Sequence, residues 1–133
     1  MKTFKEYGDT VYALARYPKV GNNLVYPVLG LVGEAGEAAE KVKKLWRDFG
    51  VTSDPTRAVS FTDDFARAGM VEEARKIVEL REGLIKELGD VLWYVNAVAM
   101  ELGITLEDVA QTNVDKLIDR TNRNVINGSG DNR

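Results

Sequence analysis

Two pairs of acidic residues are the feature of this chain that most clearly indicates chemistry. Glu34 and Glu37 form the first pair, and Glu87 and Asp90 form the second. Within each pair, the spacing of three residues puts both carboxylates on one side of a helix, one turn apart. Carboxylates held that close repel each other unless a cation lies between them, and hard divalent cations prefer oxygen ligands. The two pairs together therefore indicate an oxygen-ligated site for a divalent metal ion.

Both pairs flank the apolar stripe of a predicted long helix. Apolar residues recur at spacings of three and four over Pro27–Trp46 and again over Glu72–Leu102, which is the pattern of an amphipathic helix. In each helix the first carboxylate directly precedes an apolar residue of the stripe, and the second carboxylate follows three residues later. We therefore expect all the carboxylates of the two pairs to converge if the stripes pack together.

The rest of the chain is also mostly helical in its pattern. Thr3–Arg16 carries an apolar stripe, and Thr105 begins a last helix with a sequence typical of a capping box. The less regular stretch at about 51–71 is interpreted as an insertion that contains a short helix. We therefore predict an all-α, four-helix-bundle-like fold with an inserted segment between the second and third long helices. The predicted domain covers residues 1–124, and residues 125–133 form a flexible C-terminal tail.

The composition excludes several kinds of site and partner. The chain has 133 residues with no cysteine and no histidine, which excludes disulfides, ordinary zinc sites and Ser-His triads. The net charge of −3 argues against a nucleic-acid partner, because such proteins need a basic face. No apolar run is long enough to cross a bilayer, and the first residues lack an apolar signal core. We expect a cytoplasmic protein with no membrane partner.

Four further polar side chains accompany the acidic pairs. Tyr94 lies one turn beyond Asp90 on the same flank, although it can equally be a packed aromatic residue. Asn113 lies in the apolar stripe of the last helix, and an amide that faces a core needs hydrogen-bond partners. Lys116 and Arg120 follow at the next two turns, and the alternative for both is a solvated helix end.

Phosphoryl transfer is the chemistry that needs these parts. The carboxylates can hold magnesium ions, which neutralise triphosphate oxygens and lower the pKa of a bound water. A carboxylate that is not fully used as a ligand can accept the proton of that water. Lys116 and Arg120 can supply charge-assisted hydrogen bonds to the outer phosphates, and Asn113 can supply a neutral donor. No GxxxxGK[ST] motif is present, which excludes a Walker-type ATPase.

Other functions are compatible with the same residues. The acidic pairs can be solvated helix faces, with Glu37 and Lys41 forming an ordinary i,i+4 ion pair. The chain would then be a non-catalytic helical adaptor or oligomerisation module. A third possibility is a calcium- or manganese-binding storage module, although storage needs no helix that carries Asn113, Lys116 and Arg120.

Three sequence blocks resemble the MazG-like all-α nucleoside triphosphate pyrophosphohydrolases. The blocks are GLVGEAGEAAEK at Gly30–Lys41, ELGDVLWY at Glu87–Tyr94 and NVDKLIDR at Asn113–Arg120. An ExxE motif followed by an ExxD motif is the signature of that superfamily. The short length and the GSGDNR ending are similar to the compact single-domain versions often carried by bacteriophages.

The resemblance implies a hydrolase that acts on the acid anhydride between the α and β phosphates of a (deoxy)nucleoside triphosphate. The products would be a (deoxy)nucleoside monophosphate and pyrophosphate, so the enzyme would control nucleotide pools. Carried over by motif, Glu34, Glu37, Glu87 and Asp90 are implied as the catalytic magnesium ligands, with manganese able to substitute. The resemblance also implies a homodimer or homotetramer with active sites at the subunit contacts.

The substrate residues follow partly from the resemblance and partly from position. Tyr94, Asn113 and Lys116 match positions that contact phosphate in relatives, and Arg120 is a neighbouring candidate. The slot for the nucleobase is placed by position alone, and it needs an aromatic or apolar wall with a few hydrogen-bonding groups. Its candidates are Tyr17, Lys19, Asn22, Asn23 and Trp46. Because phage relatives often favour guanine nucleotides, we expect dGTP or GTP as the substrate, with dUTP or dCTP as the alternative.

Overall fold

The structure is a computed structural model that describes residues 3–50, 67–123 and 125. Over these residues the chain forms helices and no strands, which confirms the predicted all-α fold. None of the described helices combines the length and the hydropathy that a membrane span requires. Four helices lie entirely within the described residues: α1 (Phe4–Leu14), α2 (Val25–Phe49), α3 (Val71–Glu101) and α4 (Leu106–Asn122).

The helix ends follow from local side-chain and backbone chemistry. The hydroxyl of Thr3 caps α1, and Thr105 caps α4 in a complete capping box with Asp108. Gly50 and Gly103 follow α2 and α3 with positive φ angles of 62° and 71°. This left-handed conformation ends a helix at little cost only when the residue is glycine.

The chain divides into two units. One unit contains residues 1–27 and 95–133, and the other contains residues 28–94. The predicted short helix in the insertion lies outside the described residues, as does nearly all of the predicted tail. The predicted domain bounds therefore stay a prediction.

Two close contacts define the pairing of α2 and α3 within the unit of residues 28–94. A Cβ atom placed on Gly30 would overlap the ring of Tyr94, so the ring lies directly on the α2 backbone. A Cβ atom placed on Gly83 would lie 3.2 Å from Cε of Lys41, so the Lys41 side chain passes close to the α3 backbone at this position. Since residue numbers rise along α2 while they fall along α3, the two helices are antiparallel in this unit.

The apolar stripe of α2 is less buried than its periodicity predicts. Val32 keeps 66% of its surface, Val42 keeps 51% and Trp46 keeps 65%. In this unit, the residues of α3 that are buried include Ala74 and Ile77. A single partner helix covers only one side of an amphipathic helix, so a large part of the α2 stripe is left at the surface of the chain.

The other unit has a core of its own, and one carboxylate organises its loop. Glu101 accepts a hydrogen bond from the Tyr17 hydroxyl at 2.5 Å and from the backbone N–H groups of Gly21 and Asn23, both at 2.8 Å. The ring of Tyr17 also stacks on Tyr26, with 5.3 Å between the ring centroids. The connection between α1 and α2 is therefore tied to the end of α3. The described buried residues of this unit are Val11, Ala15, Tyr17, Pro27, Asn96, Ala97, Ala99, Leu106 and Arg120.

The contact between Gly30 and Tyr94 predicts opposite effects for two alanine substitutions in α2. Gly30→Ala should lower the free energy of unfolding by about 1–3 kcal/mol, because the new methyl group would displace the Tyr94 ring. Gly36→Ala is the control, since among the described residues no atom outside its own helix segment lies within 4 Å of the added Cβ. It should raise the free energy of unfolding by up to about 1 kcal/mol. Urea denaturation followed by circular dichroism measures both, and equal effects would contradict the contact.

The Tyr17–Glu101 bond predicts a pH-dependent stability. The hydrogen bond from Tyr17, followed by those from the backbone, lowers the pKa of Glu101 from its usual value of 4.5. Stability from this carboxylate is therefore fully present above pH 4.5 and is lost as the pH falls through the lower pKa of the folded state. Tyr17→Phe should lower the thermal midpoint by several degrees at pH 7 and by less at acidic pH. Tyr12→Phe, at an exposed position, should leave the midpoint unchanged at both pH values.

Candidate active site

Three carboxylates from α2 and α3 meet in the unit of residues 28–94. Glu34 of α2 and both Glu87 and Asp90 of α3 each place one carboxylate oxygen within 4.8 Å of the others. Glu34 and Glu87 are half-buried, whereas Asp90 is exposed. The antiparallel register produces this cluster, because Glu34 lies between the contacts at Gly30 and Lys41 while the α3 acids lie between those at Tyr94 and Gly83.

The cluster is electrostatically strained by its own charge. The pKa of Glu34 is raised first by desolvation, and then by the negative charges of Asp90, Glu37 and Glu87. A carboxyl group surrounded by like charges takes up a proton or a cation to relieve the repulsion. The arrangement therefore favours a positive ion among these oxygens.

Glu37 lies outside this three-carboxylate cluster. Its side chain is exposed on α2, one turn beyond Glu34, and its charge still raises the pKa of Glu34. The sequence predicts the convergence of four carboxylates, and the structure brings three of them together. Glu37 is close enough to affect the cluster electrostatically without forming part of it.

Lys41 is a member of the site that the spacing of residues did not indicate. The i,i+4 spacing predicts an ion pair between Lys41 and Glu37, whereas Nζ of Lys41 lies 3.4 Å from Oε1 of Glu87. Both side chains are well covered, with 28% exposed for Lys41 and 13% for Glu87. The lack of a side chain at Gly83 leaves room for the aliphatic part of Lys41. The glycine one turn before Glu87 is therefore the sequence feature from which this contact could have been predicted.

The donors of the cluster fit a hard divalent cation. All of them are carboxylate oxygens, which is the ligand set of magnesium, manganese or calcium and not of softer metals. The raised pKa of Glu34 agrees with a site that lacks sufficient positive charge of its own. Lys41 supplies one ammonium beside Glu87, so part of the negative charge remains to be balanced.

Two predicted substrate residues belong to the same unit. Tyr94 packs its ring on Gly30 and makes an edge-to-face contact with Trp93, with ring centroids 4.9 Å apart at 83°. Both predicted alternatives for Tyr94 are therefore open, because a packed ring can still present its hydroxyl. Trp46 lies near the end of α2 with 65% of its surface exposed.

The other predicted substrate residues belong to the unit of residues 1–27 and 95–133. Lys19 has a positive φ of 57° in the connection that Glu101 holds. Asn113 is exposed on α4, so the expectation that its amide faces the core is wrong. Lys116 is also exposed, as expected for a residue that meets solvent or substrate. Arg120 is buried with 6% exposed, which excludes the solvated helix end as its environment.

Comparison with known proteins identifies the family. Residues 27–125 match the MazG nucleotide pyrophosphohydrolase domain. The chain belongs to the MazG family. This MazG chain is 41% identical over 124 residues to the gene 37 protein of Mycobacterium phage L5, across 90% of this chain and 89% of that protein. No solved structure matches the chain.

The family match indicates a general activity and does not specify the nucleotide or the metal. It supports nucleotide pyrophosphohydrolase activity, and the name of the phage relative describes no activity. A relative from a phage agrees with the resemblance to compact phage versions. The matched range contains the carboxylate cluster and all of α4, whereas Lys19 precedes it.

Proposed function

We propose that this MazG protein is a magnesium-dependent pyrophosphohydrolase that cleaves a (deoxy)nucleoside triphosphate between its α and β phosphates. The observation that carries the proposal is the cluster of Glu34, Glu87 and Asp90 oxygens within 4.8 Å in a chain of the MazG family. The products would be a nucleoside monophosphate and pyrophosphate. The reaction needs neither a thiol nor an imidazole, and the chain contains neither.

The residues of the cluster would hold the metal and orient the scissile phosphate. Glu34, Glu87 and Asp90 are the proposed ligands, and magnesium, or manganese in its place, would supply charge neutralisation and an acidified water. Glu37 is the next carboxylate along α2, and it would act as a fourth ligand or as the acceptor of the water's proton. Lys41 would hold the Glu87 carboxylate in place for the metal.

The substrate contacts extend the proposal beyond the cluster. Tyr94, Asn113 and Lys116 are proposed to contact the phosphates, as their match to the family motif implies, and Arg120 is proposed as a neighbouring contact. The proposed contacts to the base are Trp46 and Lys19. We favour dGTP or GTP, with dUTP or dCTP as the alternative, and a cytoplasmic site of action.

We also propose that copies of the chain assemble through the exposed stripe of α2. Val32 and Val42 belong to the apolar stripe of α2, and each exposes more than half of its surface. An apolar stripe of this length on a monomer is unfavourable in water, and a second copy would cover it. A homodimer or homotetramer is the assembly expected from the family resemblance.

A panel of nucleotides tests the proposed reaction. Purified protein with magnesium should convert the preferred nucleotide into equal amounts of monophosphate and pyrophosphate, and EDTA should abolish the conversion. Glu87→Gln should lower turnover by on the order of 100-fold or more, because it removes a ligand charge while it keeps the shape of the side chain. Circular dichroism should show an unchanged helix content.

Glu82→Gln is the matched control for the panel. It makes the same chemical change at an exposed position of α3, five residues before Glu87, and should keep wild-type turnover. Orthophosphate with a diphosphate would show that a different bond is cleaved. No turnover of any nucleotide, with magnesium or manganese, would favour the adaptor function instead.

Light scattering tests the proposed assembly. The wild-type chain should elute from size-exclusion chromatography with the mass of a dimer or a tetramer. Replacing both Val32 and Val42 by Asp should produce monomers, because burying two carboxylates in an apolar contact is strongly unfavourable. Val71→Asp, at an exposed position at the start of α3, is the control and should leave the mass unchanged. A monomeric wild-type chain would exclude this assembly.

A further inference from the structure

A second feature adjoins the carboxylate cluster within the unit of residues 28–94. It is a groove of about 320 Å³ between α2 and α3, and we call it the lysine groove. Lys41, Lys44 and Lys76 line it together with Asp48 and Glu79. Neither the predicted substrate residues nor the proposed metal ligands are among its lining residues, so the proposed function assigns no role to the groove.

The two acidic residues of the lysine groove are already engaged by arginines. Asp48 accepts two hydrogen bonds from Arg47, at 2.5 Å from Nε and 2.8 Å from Nη2. Hydrogen bonding to Arg47 is the main reason that the pKa of Asp48 is lowered. Glu79 accepts a hydrogen bond from Arg75 on its own helix. Each carboxylate therefore has a close guanidinium partner, and Lys44 contributes less to the lowered pKa of Asp48 than Arg47 does.

The lysines, in contrast, are held loosely. Nζ of Lys44 lies 3.5 Å from Glu40, and Nζ of Lys76 lies 3.8 Å from Glu72. Each of these two carboxylates has a closer cationic partner: Lys43 contacts Glu40, and Arg75 donates to Glu72 at 2.6 Å and 3.0 Å. Ammonium groups at 3.5–3.8 Å from acids that are already paired can turn toward a new anion at small cost.

Lys41 links the lysine groove to the carboxylate cluster. Its side chain lines the groove, and its ammonium lies 3.4 Å from Glu87 of the cluster. An anion that contacts Lys41 at this end of the groove would therefore lie on the far side of Lys41 from the carboxylate of Glu87. A ligand with several negative charges is the one that gains most when the ammonium groups of three lining lysines turn toward one cavity.

We propose that the lysine groove binds pyrophosphate, as the diphosphate part of the substrate before cleavage and as the free product after it. This inference rests on the proposed function for the source of the diphosphate, because only cleavage between the α and β phosphates releases pyrophosphate. Lys44 and Lys76 are the residues that bind it from opposite walls, α2 and α3. Lys41 is the residue shared with the cluster.

Binding of inorganic pyrophosphate to the full chain tests this inference. Isothermal titration calorimetry in magnesium buffer should show binding to the wild type, and orthophosphate should bind more weakly because it reaches fewer lysines. Replacing both Lys44 and Lys76 by Ala should weaken pyrophosphate binding by about tenfold or more. Replacing both by Arg should restore most of the affinity, since charge and reach are kept.

The matched control removes the same charge from the same unit. Arg81 and Lys86 are exposed on α3 and do not line the groove, so their double replacement by Ala should leave pyrophosphate affinity at the wild-type value. If the control weakens binding as much as the loss of Lys44 and Lys76, attraction is a general charge effect and the inference is wrong. Absence of pyrophosphate binding to the wild type would also overturn it.

Substrate kinetics show whether the groove binds the diphosphate of the uncleaved substrate or the free product. They also distinguish failure of this inference from failure of the proposed function. Loss of Lys44 and Lys76 should raise KM for the preferred nucleotide if the groove holds the uncleaved substrate, and should weaken product inhibition by pyrophosphate if it holds the product. An unchanged KM together with unchanged product inhibition would overturn the inference while nucleotide cleavage stands. Pyrophosphate binding that depends on these lysines, in a chain that cleaves no nucleotide, would instead overturn the proposed function alone.

Discussion

Repulsion between like charges is the constraint on which the site depends. Glu34, Glu87 and Asp90 are held within 4.8 Å of one another, and their proximity contributes to the raised pKa of Glu34. The pairing of α2 with α3 has to supply the free energy that keeps them there. The ring of Tyr94 on Gly30 prevents α2 and α3 from sliding, because a shift of the register would force the ring into side chains of α2.

Much of this arrangement could be predicted from spacing alone. Apolar residues at spacings of three and four located the helices, and equal offsets of the acidic pairs from their stripes predicted the convergence of Glu34 with Glu87 and Asp90. The ends of the helices were predicted less accurately, because a helix end depends on its capping residues and on the neighbouring loop. The second helix begins at Val25, before the proline that the pattern suggested as its first residue.

The remaining features depend on register and burial, which periodicity does not determine. Lys41 pairs with Glu87 across two helices, because Gly83 leaves space for its stem, while the spacing within one helix favoured Glu37. Asn113 has the period of a core position and is nevertheless exposed, because the apolar face of α4 is only partly covered in the single chain. Arg120 shows the opposite case, since a charged residue near a helix end is buried.

The ion pair between Lys41 and Glu87 offsets part of the negative charge of the carboxylate cluster. A carboxylate with 13% exposure needs a positive partner, and the ammonium at 3.4 Å provides one that is weaker than a direct metal bond. If a cation were bound to Glu87, the carboxylate would be shared and the ammonium of Lys41 would be held less strongly. A metal at the cluster and an anion at Lys41 would then favour each other's binding, because each relieves an electrostatic cost that the other creates.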